Sequence, residues 1–255
     1  MNKTLMAALL LACTGAQAQS TRMMMPEGTY DMYFGLALGT TLRSADEGGS
    51  SSVVVPALSV QWSNGAFAEA SQREAVAGMH LSDNPVIDYG VMASMSQRDQ
   101  RADTPGERGG MAVQAGGFWH WQAAYNISIG IDLQAGGGFD RGGLLSHARI
   151  AYNTPLAAHH SANLEAGAFI ADHSWMQGYF GVTPAQAASG GNPAYRASAG
   201  VLSVYGDLDW SWQMGNKYFL VTGARLSRLV GSAAASPLVG KRNRISLGTS
   251  LTYHF

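Results

Sequence analysis

The last stretch of the chain alternates. Apolar side chains recur at Ile245, Leu247, Leu251, Tyr253 and Phe255, with small or polar ones between them at Ser246, Gly248, Ser250 and Thr252. Successive side chains of a strand point to opposite faces, so this pattern makes one apolar face and one polar face. In water the apolar face would cover a protein core. In a membrane barrel it meets lipid, and the polar face meets a wet lumen. Composition favours the second environment. Charged residues are 13 % of the chain, about half the usual share of a soluble globular protein. Glycine takes 32 of 255 positions and mean hydropathy is −0.03, as expected where apolar outward residues alternate with small or polar inward ones.

The same period recurs along the chain. From Asn126 to Ala135 it is unbroken, with Ile127, Ile129, Ile131 and Leu133 on one face and Ser128, Gly130, Asp132 and Gln134 on the other. A buried Asp132 would be costly in a sandwich core but is tolerated in a hydrated lumen. Alternation returns at Met32-Phe34-Leu36-Leu38, Val54 to Trp62, Ile87-Tyr89-Val91 and Met111-Val113-Ala115. It returns again at Leu164-Ala166-Ala168-Ile170 and at Leu202-Val204-Gly206-Leu208-Trp210-Trp212. Short connections are expected at Asn64-Gly65, Ser82 to Pro85, Gln122 to Tyr125, Asn153 to Ser161 and Met214 to Asn216. Longer polar ones are expected at Arg43 to Ser52, Arg98 to Gly110, His173 to Ala197 and Val230 to Arg244. Short and long largely alternate, as periplasmic turns and extracellular loops do. The expected fold is therefore all-β: a transmembrane antiparallel β-barrel of about 12 strands, with both termini in the periplasm. Parity rests on Ala66 to Leu81 holding two short strands joined near Gln72-Arg73; otherwise about ten strands is the alternative.

The N-terminal residues read as a targeting segment. Met1-Asn2-Lys3 is a cationic start, Thr4 to Thr14 is an apolar run too short to span a bilayer, and Ala16-Gln17-Ala18 is a small-x-small cleavage site. Residues 1–18 are expected to be a cleaved signal peptide, residues 19–29 a periplasmic tail and residues 30–255 the barrel. A lipobox at Leu10-Leu11-Ala12-Cys13 is the alternative, but it leaves a very short apolar run ahead of Cys13. Without the leader no cysteine remains for a disulfide, a thiolate nucleophile or a metal. The net charge of −1 excludes the basic stripe that a nucleic-acid partner needs.

Aromatic residues gather near expected strand ends: Trp62, Trp119, Trp121, Tyr125, Trp210, Trp212 and Tyr253. Amphipathic rings favour the membrane–water boundary, so they are expected to form a girdle. Asp132, Glu165, Asp207 and Asp209 fall on expected inward faces, with Arg149 and Arg225 able to face them. This fits a lumen filled by ion pairs in a barrel too narrow for a wide pore. The histidines do not assemble a catalytic set. Asp172, His173 and Ser174 are adjacent and, on an extended chain, point to opposite sides. His147 shares a side with Arg149, His159-His160 lies in an expected turn, and His254 faces the lumen. No catalytic, cofactor or metal site is expected.

The Tyr179 to Tyr195 segment has its own local logic. Thr183 can cap a helix, Pro184 suits its first position, Gln186 can reach back as a capping box, and Ser189-Gly190 can end it. Such a turn of helix can fold over or into the barrel mouth as a lid, or pack on the rim. The segment Met176-Gln177-Gly178-Tyr179-Phe180-Gly181-Val182-Thr183-Pro184-Ala185-Gln186, with Pro193-Ala194-Tyr195, resembles the signature of the MipA/OmpV family of outer-membrane proteins, named for the MltA-interacting protein. Ser227-Arg228-Leu229-Val230-Gly231 and Ser236-Pro237-Leu238-Val239 resemble that family's loop before its last strand, and Val55-Pro56-Ala57-Leu58 through Phe67 its second strand and turn. Ser44 to Ser52 and Ser232 to Ala235 are less acidic than the family pattern.

The resemblance implies a non-enzymatic, monomeric barrel in outer-membrane lipid that scaffolds murein synthesis and turnover enzymes, a lytic transglycosylase and a penicillin-binding protein. It also implies that Tyr253 and Phe255 form the signal presented to the barrel assembly machinery. The rival expectations are a small-solute barrel gated by residues 179–195 and a surface adhesin.

Overall fold

A computed structural model describes residues 25–42, 50–71, 74–97, 111–138 and 141–255. The expected signal peptide, Cys13 and the start of the tail lie outside these residues, as do residues 43–49 and 98–110 of two expected loops and the Gln72-Arg73 joint.

Twelve strands follow in order: β1 (Tyr30–Leu42), β2 (Ser50–Trp62), β3 (Ala66–Ala70), β4 (Glu74–His80), β5 (Ile87–Gln97), β6 (Met111–Ala124), β7 (Ile127–Gly138), β8 (Arg141–Ala157), β9 (His160–Ala171), β10 (Gly200–Met214), β11 (Tyr218–Leu229) and β12 (Asn243–His254). Each pairs antiparallel with its sequence neighbours, and β1 closes the barrel on β12 from Tyr33↔His254 to Leu42↔Ile245. Closure leaves no free edge around the ring, the condition for spanning a bilayer with strands. No described helix is long and apolar enough to cross a membrane. Twelve strands form rather than ten because the 66–80 stretch divides into β3 and β4, paired from Ala66↔Met79 to Ala70↔Ala75.

The barrel is inside-out relative to a soluble core. On β7, Asp132 is 6 % exposed while its neighbours Ile131 and Leu133 are 46 % and 52 % exposed. Gln61, Ser94, Asn163, Gln213 and Thr252 are buried, whereas Leu36, Val54, Val113, Leu164 and Leu251 are exposed. Apolar outside and polar inside is the pattern of a lipid-embedded wall.

The two rims differ. On the rim where β1 begins and β12 ends, called below the rim of the termini, the turns span residues 63–65, 81–86, 125–126, 158–159 and 215–217. The opposite rim carries the connections 172–199 and 230–242. The expected turn from Asn153 to Ser161 is narrower: β8 runs to Ala157 and β9 starts at His160, leaving Ala158 and His159, the latter at φ 66°. Since β7 starts only at Ile127, opposite Tyr152, and Asn153 N makes a last bond to Asn126 O, residues 154–157 of β8 have β9 alone beside them and carry the hairpin past the β7 end. Pro155 sits in that one-sided stretch, and Pro56 lies where β2 has β1 as its paired strand beyond the short β3, positions where a missing N–H is tolerated.

Two further expectations change. A bulge between Val201 and Ser203 resets the phase of β10. Val201 therefore faces out, and Leu202, expected outward with Val204, is buried. Asp172 is extended, but residues 173 and 174 are helical. Asp172 caps a helix, and its carboxylate accepts from Trp175 N at 2.7 Å.

Candidate functional site

The inward faces of β4 to β11 carry a polar belt along the inner wall. It starts at His80, whose Nδ1 lies 2.8 Å from Asp88 Oδ2. Asp88 Oδ2 in turn is 3.9 Å from His120 Nδ1. The other nitrogen of that ring, Nε2, is 2.5 Å from Arg149 Nη2 and 3.4 Å from Asp132 Oδ1. Arg149 Nη1 donates to Asp132 Oδ2 at 2.6 Å, and His147 Nδ1 lies 3.2 Å from the same oxygen. His147 Nε2 is 2.7 Å from the Tyr205 hydroxyl, which donates to Glu165 Oε1 at 2.6 Å. Arg225 closes the far end, with Nη2 2.6 Å from Asp207 Oδ2 and 3.6 Å from Glu165 Oε1, and its guanidinium stacks 4.1 Å above the Tyr205 ring.

The belt packs because small residues lie beside large ones. A Cβ on Gly90 would lie 2.5 Å from the Phe118 ring, and one on Gly167 would lie 2.6 Å from the Tyr205 ring. Gly130 lies under both His120 and Arg149, with Cβ distances of 2.9 and 3.0 Å. These glycines let rings lie flat against the wall. His147 stacks on Phe169 at 4.3 Å, and Phe118 on His120 at 5.0 Å. At the rim bearing the termini, His254 Nε2 is 2.6 Å from Asp31 Oδ1, and its ring stacks on Tyr33 at 4.6 Å.

A cap lies in the opposite mouth, against the ends of β8 to β11. Residues 172–199 carry α1 (His173–Phe180) and α2 (Pro184–Gly190), and residues 230–242 carry α3 (Gly231–Ala234). The fully buried Met176 and Ala197 of one connection meet the fully buried Ala233 of the other. They pack on Leu202, Leu145, Phe169 and Leu229, which line the mouth at the outer ends of β8 to β11, so the cap sits in the mouth rather than on the outer wall. Gly143 allows α1 to approach β8: a Cβ there would be 2.5 Å from Asp172 Oδ1 and from Trp175 N. Polar bonds hold the cap, two of them between the connections and one within the first. The Tyr195 hydroxyl donates to Ser232 O at 2.7 Å, the Ser236 hydroxyl to Phe180 O at 2.6 Å, and Ala197 N to Gln177 Oε1 at 2.9 Å. Below the cap, a cavity of about 220 Å³ is lined by Phe169, Ser203, Tyr205, Arg225, Ser227, Arg244 and Ser246.

The signature residues fall into two groups. Val182 is buried, Phe180 and Tyr195 pack on the cap core, Tyr179 stacks on Trp175 at 4.0 Å, and Gly181 ends α1. Val182 and Tyr195 exchange backbone hydrogen bonds, both at 2.9 Å, and so close the intervening chain into a loop. Thr183, Pro184, Ala185, Gln186 and Pro193 are exposed. The capping box forms, with Thr183 Oγ1 accepting from Gln186 N at 3.3 Å and Thr183 N donating to Gln186 Oε1 at 2.9 Å. The helix ends one residue later than Ser189-Gly190 suggested, on Gly191 at φ 75°.

Trp62, Trp119, Trp121, Trp210 and Trp212 point outward in the half of the wall next to the rim with the termini, where His160 stacks at 5.5 and 5.6 Å from Trp210 and Trp212. Tyr253 meets Tyr218 at 5.3 Å and Phe255 at 4.9 Å, and Lys217 Nζ donates to its hydroxyl at 2.7 Å. Among the described residues, no outward aromatic lies near the capped rim.

Asp132, Glu165, Asp207, Arg149 and Arg225 join one network. Asp209 is also inward, with its carboxylate over Gly223. Sequence reasoning missed His80, Asp88, His120 and Tyr205 as belt members. Each stands on the inward phase of a strand, and that phase was the available signal: Asp88 lies between Ile87 and Tyr89, and His120 between Trp119 and Trp121. The partners of these imidazoles are carboxylates, a guanidinium and a phenol. Among the described residues no three His, Cys, Asp or Glu side chains are grouped to hold a metal.

Comparison with known proteins agrees with this architecture. The fold is similar to a solved bacterial polysaccharide outer membrane secretin, at 8 % identity and TM-score 0.50 over 91 % of this chain and 100 % of that one. It is also similar to the KdgM porin in complex with disordered oligogalacturonate, at 10 % identity and TM-score 0.40 over 89 % and 99 %. A further similar structure is the P. putida toluene transporter TodX, at 10 % identity and TM-score 0.39 over 95 % of each chain. At such identities the likeness is one of fold. No curated protein matches the sequence. The model of the family described as MltA-interacting protein MipA matches residues 33–255, and the chain belongs to that family of outer-membrane β-barrels.

Proposed function

We propose that this barrel is a non-enzymatic scaffold for murein synthesis and turnover enzymes, a lytic transglycosylase and a penicillin-binding protein, on the periplasmic side of the outer membrane. The observation that carries the reading is the filled interior. The His80-to-Arg225 belt lines the inner wall from β4 to β11 and the α1–α3 cap sits in the mouth over β8 to β11, so this wall is braced from within. A rigid, closed barrel suits an anchor better than a conduit. The family's description, MltA-interacting protein, names a protein partner, MltA, which this reading takes as the lytic transglycosylase. The reading takes the chain as a monomer that loses residues 1–18, reaches the outer membrane through the periplasm, and is inserted by the barrel assembly machinery through Tyr253 and Phe255. Docking falls to the tail at residues 19–29 or to the β8–β9 hairpin, which projects past β7 with Leu156 59 % exposed.

Pull-down of murein enzymes from solubilised envelopes tests this. The wild-type barrel should retain both enzymes, and a tail deletion or Leu156→Glu should lose them. Retention by neither form of the protein would sink the scaffold reading. A second reading, a small-solute barrel gated by residues 179–195, is favoured by the polar cavity under the cap. It requires a steady conductance in planar bilayers that is lost or enlarged when residues 179–195 are removed. A silent, heat-modifiable barrel excludes it.

A further inference from the structure

The outer wall has a groove that neither reading uses. Small outward positions at Ala166, Gly206 and Ala224 leave an apolar depression of about 590 Å³, walled by Ile150, Leu164, Leu208, Leu226 and Ile245. All five wall residues are exposed on the lipid side. A Cβ on Gly206 would meet nothing within 4 Å, so no other part of the protein fills the depression.

The groove ends beneath a cationic rim. On β11, Arg228 follows Leu226 on the same face, roughly 7 Å further along the strand. Arg228 is paired with Asn243, and Leu229 N donates to Arg242 O at 2.8 Å, so Lys241 and Arg242 lie beside it. The three cationic side chains are exposed. Arg228, Lys241, Arg242 and Arg244 all stand at this end of β11 and β12.

Clustered positive charge at a membrane boundary attracts anionic headgroups, and guanidinium groups match phosphate oxygens geometrically. Inside a bilayer an apolar groove is not filled to escape water. It is filled because a chain that fits it gains contacts that a smooth wall does not offer. We propose that groove and rim together form a binding site for an anionic, phosphate-bearing lipid, with an acyl chain along Gly206 and the phosphate between Arg228 and Lys241-Arg242. Neither element specifies the ligand alone. Their continuity on β11, from Ala224 through Leu226 to Arg228, matches the order of chain and headgroup in one lipid molecule.

Native mass spectrometry of the full barrel in detergent tests the site with three probes: dioleoyl phosphatidic acid, zwitterionic dioleoyl phosphatidylcholine and inorganic phosphate. Phosphatidic acid should be retained at least about tenfold better than phosphatidylcholine, the scale of a pair of charge-assisted bonds, and inorganic phosphate should not be retained. Gly206→Leu fills the groove from a position where a Cβ meets nothing within 4 Å, and Ala224→Leu fills it from the adjacent strand. Arg228→Gln with Arg242→Gln removes the rim charge. Each change should cut retention about tenfold while the heat-modifiable gel shift of the folded barrel persists. Equal retention of both lipids, retention of inorganic phosphate alone, or wild-type retention in the groove and charge variants overturns the proposal.

Discussion

Arg149 Nη1 lies 2.6 Å from Asp132 Oδ2, although the register of β7 and β8 does not set the two opposite each other. Asp132 is opposite His147, and Arg149 is opposite Gly130. The ion pair is therefore diagonal, and Gly130 makes it possible. With no side chain beneath it, the guanidinium reaches back across the strand, toward both Asp132 and His120.

That geometry predicts an asymmetry between single and double substitutions. Arg149→Leu leaves the Asp132 carboxylate buried without its cation and should cost about 3–5 kcal/mol. Asp132→Leu combined with Arg149→Leu removes both charges and should recover most of that loss. Equilibrium urea unfolding in lipid vesicles reads both numbers. A wild-type midpoint for Arg149→Leu would show that the belt does not brace the barrel.

Glycines on the two faces of the wall should behave oppositely. Gly167→Ala pushes a methyl into the Tyr205 ring, at 2.6 Å, and disturbs the hydroxyl that bridges His147 and Glu165. Its expected cost is about 1–3 kcal/mol. Gly206→Ala, open to lipid, should stay within about 0.5 kcal/mol of wild type. Measured in the same unfolding assay, equal effects at both positions would contradict the assignment of Gly167 to the lumen and Gly206 to lipid.

Much of the wall was legible because alternation reports which face each residue takes. Ile127, Ile129, Ile131 and Leu133 against Asp132 is enough to place β7, and the split of the 66–80 stretch decides the strand count. What alternation cannot report is lateral. His80, Asp88, His120, Asp132, His147 and Tyr205 come from six strands, and only register and tilt bring them into one belt. Leu202 escaped for a different reason: a single extra residue at a bulge inverts the phase, and nothing in a periodic pattern announces it. Helix α1 was missed because its residues follow a strand directly. Asp172 reads as a strand end until its carboxylate is seen accepting from Trp175 N.

The cap should loosen as a unit. Met176 is fully buried between the two connections, and Met176→Ala removes most of its contacts. The local cost should be about 2–5 kcal/mol. Hydrogen exchange should then rise at the Val182 and Tyr195 amides, which bond to each other, and at Ala197 N, which bonds to Gln177. Exchange at amides of β7 and β8 near Asp132 should be unchanged, because the belt does not depend on the cap. A uniform rise across the strands would mean that cap and barrel unfold together, and the cap could not then act as an independent lid.

The tryptophans offer a depth gauge for the whole arrangement. All six are at useful places: Trp62, Trp119, Trp121, Trp210 and Trp212 on the outer wall near the rim with the termini, and Trp175 in the cap. Amphipathic indoles settle at the headgroup level. In single-tryptophan variants reconstituted into vesicles, lipids brominated near the headgroup should quench each of the five wall residues more strongly than lipids brominated near the chain ends. Trp175, enclosed by Tyr179 and Phe180, should be quenched weakly by either. If the wall tryptophans are quenched best from the bilayer centre, the membrane sits across the middle of that aromatic zone and the girdle assignment fails. If Trp175 is quenched as strongly as the wall residues, the cap lies against lipid instead of in the mouth, and the closed lumen on which the scaffold reading depends is lost with it.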